Sequence, residues 1–146
     1  MLLLIDLDLK ACAPALVSRW LGKREVPQTF LFRVAVREIE AWLLADREAF
    51  ADFIGVPESK IERNTEEIAD PKRKLLDLAR RGKRSIRAGL LPAPEAAASQ
   101  GDQYNQLLCE FVDSDWSSER AANHNASLRK TITALANQRS VDSVTY

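Results

Sequence analysis

Leu2, Leu3, Leu4 and Ile5 form an unbroken apolar run that ends abruptly in Asp6-Leu7-Asp8. A run with no polar alternation describes a strand buried on both faces, and its acidic end marks where the strand meets solvent. In open α/β sheets that C-terminal edge is where binding sites are kept. Leu16, Val17, Trp20 and Leu21 then recur at helical spacing between Pro14 and a stop at Gly22. Thr29 to Val36 returns to β-branched and aromatic residues, which predicts a second strand. The order strand, helix, strand favours a parallel pair joined by a right-handed crossover.

Beyond the second strand the pattern turns helical. Ile39, Trp42, Leu43, Phe50, Phe53 and Ile54 fall on one face, closed by Gly55 and Val56-Pro57. Asp46 sits in the middle of that face, where an uncompensated charge is costly, so a break is expected there with Asp46 capping a second helix. Residues 58–70 read as a loop or short helix. Asp70-Pro71 opens a helix carrying Leu75, Leu76, Leu78 and Ala79. Pro92 and Pro94 mark a loop, and helical spacing resumes over residues 104–112 and 127–136. The expected fold class is α/β in a single domain. A small parallel-sheet core (1–57) is followed by a mostly helical part (58–138) and a patternless tail (139–146).

Lys plus Arg and Asp plus Glu number 21 each, so net charge supplies no bulk attraction to nucleic acid or to an anionic membrane. Any such attraction must come from local clustering. Cys12 and Cys109 have no neighbour at metal-ligand spacing and are expected to be buried free thiols. The apolar opening is too short for a signal-peptide core or a membrane span, so a soluble cytoplasmic protein is expected. A chain that begins directly on a strand also suggests that something upstream is missing.

Two acidic groups carry the candidate chemistry. On a strand, Asp6 and Asp8 would point to the same side with Cα atoms roughly 6.5 to 7 Å apart. Paired carboxylates repel unless a cation joins them, and magnesium is commonly held by one or two carboxylates plus substrate phosphates. The same residues would also serve simply to end the strand and cap the next helix. Glu38 and Glu40 follow the second strand and, in a parallel pair, reach the same sheet edge. On a helix the two lie about 200° apart, so both face the aspartates only if the helix starts late. One is then a direct ligand and the other a supporting or surface group. Glutamates in a first turn also complement the helix dipole, worth about 0.3 to 1 kcal/mol each.

Positive charge gathers at Lys72, Arg73, Lys74, Arg80, Arg81, Lys83, Arg84 and Arg87, with only Asp77 opposing it. Such a segment suits a DNA or RNA phosphate backbone, with affinity falling steeply as salt rises, or a solvated helix face making weak ion pairs. The single histidine, His124, has no Ser or Cys arranged as a nucleophile and is expected at the surface or in a cap.

The run from Arg33 to Asp46, with Glu38-Ile39-Glu40-Ala41-Trp42-Leu43 at its centre, resembles a bacterial family of TOPRIM-like domains of unknown function. Asp6-Leu7-Asp8, Asp70-Pro71-Lys72, Gly101 with Tyr104, and Ser127-Leu128 extend the likeness over residues 2–136. TOPRIM domains bind magnesium through a glutamate after an earlier strand and an Asp-x-Asp after a later one. The resemblance therefore implies Mg2+, or Mn2+, at Asp6 and Asp8. A second ion in the nuclease branch would engage Glu38 and Glu40. It implies phosphodiester cleavage in a defence or mobile-element system, with these four acids catalytic and Lys72, Arg73, Lys74, Arg80, Arg81, Lys83 and Arg84 on phosphate. The family's earlier glutamate-bearing strand has no counterpart, which points to a shortened member or a lost upstream segment. The rival readings are a non-catalytic TOPRIM-like module binding nucleic acid or a partner protein, and an oligomerising subunit.

Overall fold

The computed structural model describes residues 1–8, 12–27 and 29–142, the side chains of 139–142 excepted. Strand β1 (Leu2–Asp6) is followed by helix α1 (Ala13–Leu21) and strand β2 (Leu31–Ala35). The strands pair in parallel with Leu2 opposite Leu31 and Asp6 opposite Ala35, the pairing that the strand-helix-strand order favours. Among the described residues the sheet has only these two strands. Expected to be buried on both faces, β1 is instead only partly covered, and Leu2 remains 44% exposed. Its unbroken apolar run bespeaks a strand, but two strands offer too little sheet to enclose it.

Helix α2 (Ile39–Ala45) and helix α3 (Arg47–Ile54) are separated at Asp46, where the break was expected. Gly55 ends α3 with φ +78°, a left-handed conformation that glycine adopts without steric cost. Two short 3-10 turns lead to α4 (Pro71–Ala79) and α5 (Arg84–Leu90). A loop then delivers α6 (Tyr104–Ser114), α7 (Ser118–Ala122) and α8 (Ala126–Asp142). Helix α8 runs past the expected tail boundary at 139, while residues 143–146 lie outside the described ones.

Among the described residues, three apolar clusters hold these parts. The largest joins α2 through α6 around Leu44, Phe50, Ile54, Leu75, Leu90 and Phe111, all fully buried. Phe53 stacks on Phe111 at 4.8 Å and Phe50 meets it edge-on at 5.4 Å, both favoured ring geometries. On the sheet, alternate residues of β2 divide between two neighbours. Phe32, Val34 and Val36 pack with Leu16 and Val17 of α1, whereas Ala35 packs with Trp42, Leu128 and Ile132. No helix among the described residues is long and apolar enough to cross a membrane.

Candidate functional site

Helix α2 begins with unsatisfied N–H groups, and the first is answered from β1. Asp6 Oδ1 accepts the Ile39 N–H at 2.9 Å. Asp8, by contrast, lies beyond the strand with φ +52°, a conformation aspartate tolerates better than most residues, and its N–H donates to Arg37 O at 2.8 Å. The expectation that Asp6 and Asp8 share one side of a strand therefore fails, because the extended period stops at Asp6.

Glu38 is extended backbone (φ −136°, ψ 161°), so α2 starts late, at Ile39. That late start does not turn both glutamates to a common point. Glu38 Oε2 accepts the Lys72 N–H at 2.9 Å, while Asp70 Oδ1 accepts the Arg73 N–H at 2.8 Å. Two acids thus complete the N-terminus of α4, where the helix dipole favours negative charge. Glu40 turns inward, is 8% exposed, and accepts the Tyr104 hydroxyl at 2.9 Å. The Lys72 ammonium lies 5.1 Å from the centre of the same tyrosine ring.

Charge follows this geometry. Glu38 is held above the ordinary carboxylate range, chiefly by burial and then by the negative charge of Glu40, Asp70 and Asp6, while the Lys72 N–H opposes the rise. Burial and the adjacent Glu40 push the Tyr104 phenol upward as well. Magnesium needs several oxygens at about 2.0 to 2.1 Å in near-octahedral array. Among the described residues no three His, Cys, Asp or Glu side chains are gathered to hold a metal ion. Asp6, Glu38 and Glu40 each have one oxygen tied to a donor on a different element, so the arrangement does not fit a preformed magnesium cage.

The basic segment divides into engaged and free groups. Lys74 pairs with Glu62 at 2.6 Å, Arg80 pairs with Asp77, and Lys83 donates to Asp52 O at 2.6 Å. Arg73, Arg81 and Arg84 are exposed and without a side-chain partner among the described residues. Lys72, Arg73 and Arg80 line a shallow hollow of about 450 Å³ with Asp70 and Ser99.

Other connections had no local signal. Asp46, 1% exposed, does not cap α3 with its side chain; it accepts the Ser117 N–H at 2.7 Å and both the Nε and a terminal nitrogen of Arg120 at 2.9 and 2.7 Å. This bidentate pairing holds the Arg120 guanidinium above its usual range. Ser127 Oγ accepts from Trp42 Nε1 at 2.9 Å and from the Val36 N–H at 3.3 Å, and donates to Asn125 Oδ1 at 2.8 Å. Cys12 and Cys109 are both exposed free thiols, correcting the expectation of burial, since each sits on the outward side of its segment. His124 is half-buried, with Nδ1 3.0 Å from Arg63 O.

Comparison with protein-family models, with curated proteins and with solved structures gave no match.

Proposed function

We propose that this chain is a non-catalytic TOPRIM-like module, cytoplasmic in setting, that holds a nucleic-acid backbone on the exposed face of α4 and α5. The observation that carries this reading is the division of labour just described. The acidic motif residues are engaged in joining elements, whereas Arg73, Arg81 and Arg84 are exposed and, among the described residues, have no side-chain partner. Guanidinium groups so placed can contact phosphates without first breaking an internal bond.

A second reading, magnesium- or manganese-dependent phosphodiester cleavage using Asp6, Asp8, Glu38 and Glu40, is favoured by one observation. Glu38 is held above the ordinary carboxylate range chiefly by burial and further by the negative charge of Glu40, Asp70 and Asp6, and a bound cation would offset that added charge.

Binding of fluorescent single-stranded DNA and RNA should weaken steeply with salt and proceed in EDTA. Arg81→Gln with Arg84→Gln should lower the salt slope by about 1 to 2. Indifference of affinity to those substitutions would remove the first reading. Melting curves with magnesium or manganese decide the second. A rise in Tm that Glu38→Gln abolishes supports the ion site, and no rise in the wild-type protein eliminates it.

A further inference from the structure

The sheet offers a feature that neither reading uses. The Leu31 N–H bonds to Met1 O at 2.9 Å and the Leu7 N–H to Ala35 O at 3.0 Å, so the odd-numbered residues of β2 turn their backbone groups toward β1. By the alternation of a ladder, Phe32 and Val34 turn theirs to the opposite, open edge. Val36, next in that row, has its N–H taken by Ser127 Oγ. Phe32 and Val34 make no edge bond among the described residues.

That edge forms the floor of a groove of about 490 Å³ between α1 and α8, and the two walls differ. On the α1 side stand Val17, Phe32, Val34 and Val36; on the α8 side stand Arg33, Lys130 and Thr131. Arg33 Nε is buried without a hydrogen-bond partner among the described residues, a costly condition for a charged donor. Glu66 is the acid of this wall, and its Oε1 is already accepting the Ser127 N–H. Past the groove the apolar surface continues to Trp20, 57% exposed, whose ring lies 6.2 Å from that of Phe32.

We propose that the free edge of β2 is a docking groove for an extended segment of a partner protein in which apolar residues alternate with acidic ones. An added strand supplies the main-chain groups that Phe32 and Val34 lack. Its side chains alternate between faces, so one set meets the α1 wall while the other carries carboxylates to Arg33 and Lys130. A phosphate backbone fits this floor poorly, because it accepts hydrogen bonds but offers no donor to the Phe32 and Val34 carbonyls. The proposal is independent of the phosphate-binding face on α4 and α5.

The test is fluorescence anisotropy with a labelled, end-blocked peptide alternating valine and glutamate. It is compared with a valine-lysine peptide and with a valine-glutamate peptide N-methylated at every second amide. The valine-glutamate peptide should bind and should protect the Phe32 and Val34 amides from hydrogen exchange. The lysine and N-methylated versions should bind at least about tenfold more weakly. Lys130→Glu, an exposed change, and Arg33→Met, which keeps an apolar stem, should each weaken binding by about tenfold. If Arg33→Met fails to fold, Lys130→Glu and the three peptides on the wild-type chain still decide the matter. Equal binding of the lysine or N-methylated peptide overturns the proposal. So does displacement of the peptide by single-stranded DNA, or a self-association in sedimentation that buries this edge and excludes the peptide.

Discussion

The helical body around α2 and the two-stranded sheet beside it are built to opposite standards. In the body, fully buried Leu44, Phe50, Leu75 and Phe111 share one cluster, and every buried carboxylate has a named donor. In the sheet, β1 is only partly covered and, among the described residues, β2 presents an unanswered edge and a buried arginine nitrogen lacks an acceptor. Apolar area enclosed on all sides stabilises strongly, whereas unpaired edge groups cost free energy until something binds them. The body therefore sustains the fold, and the sheet is its less covered part.

The contrast breaks most visibly under truncation. Phe50→Ala should cost about 3 to 5 kcal/mol in urea unfolding, because the ring fills a site that cannot collapse onto Phe53 and Phe111. Leu2→Ala should cost under about 1 kcal/mol, since that side chain is already part exposed. Similar losses at the two sites would show that sheet and body share one core. Next in size, Asp46→Asn should destabilise by about 1.5 to 3 kcal/mol, because the charge-assisted bonds to Arg120 and the Ser117 N–H are weakened together. Tyr104→Phe should cost about 1 to 3 kcal/mol by leaving the buried Glu40 without its hydroxyl donor. An unchanged Tm in that variant would refute the internal bond.

The smallest effect is read against pH. Glu38 has its folded-state affinity for the proton raised above the unfolded value, so its protonated form favours folding. This contribution is complete below the ordinary glutamate range and is lost as pH rises through the raised value. Glu38→Gln retains an acceptor for the Lys72 N–H and removes the titration. Its Tm relative to the wild-type protein should thus climb as pH rises from the ordinary glutamate range, about 4.3, through the raised value. A difference that stays constant with pH would mean that neither burial nor the charge of Glu40, Asp70 and Asp6 raises the proton affinity of Glu38.

The strand-helix-strand start, the break at Asp46 and the cap at Asp70 were legible because each depends on neighbours in sequence. Asp70 lies three residues from the N–H it caps, and the apolar period of Leu75 to Ala79 faces the core in the structure as its spacing implies. The candidate site was legible only as a list of residue types. Asp6 and Glu38 each bond a backbone N–H, of Ile39 and Lys72 respectively, and Glu40 bonds a tyrosine 64 positions away. Gly89 and Gly101 show the same limit from the opposite side. A Cβ at Gly101 would collide with Gly89 O, and this close backbone approach helps set Tyr104 against Glu40.

The sequence by itself indicated both strands, the helix between them, the helices on either side of Asp46 and the helix opened by Asp70-Pro71, since periodicity and capping act over a few residues; it gave no sign of the short helices Arg84–Leu90 and Ser118–Ala122. Only the tertiary structure decided which donors the carboxylates meet, that Asp8 leaves the strand, and that among the described residues one edge of β2 stays open between α1 and α8. Those outcomes depend on which distant donors arrive within hydrogen-bond reach, and that is fixed by packing across the whole chain.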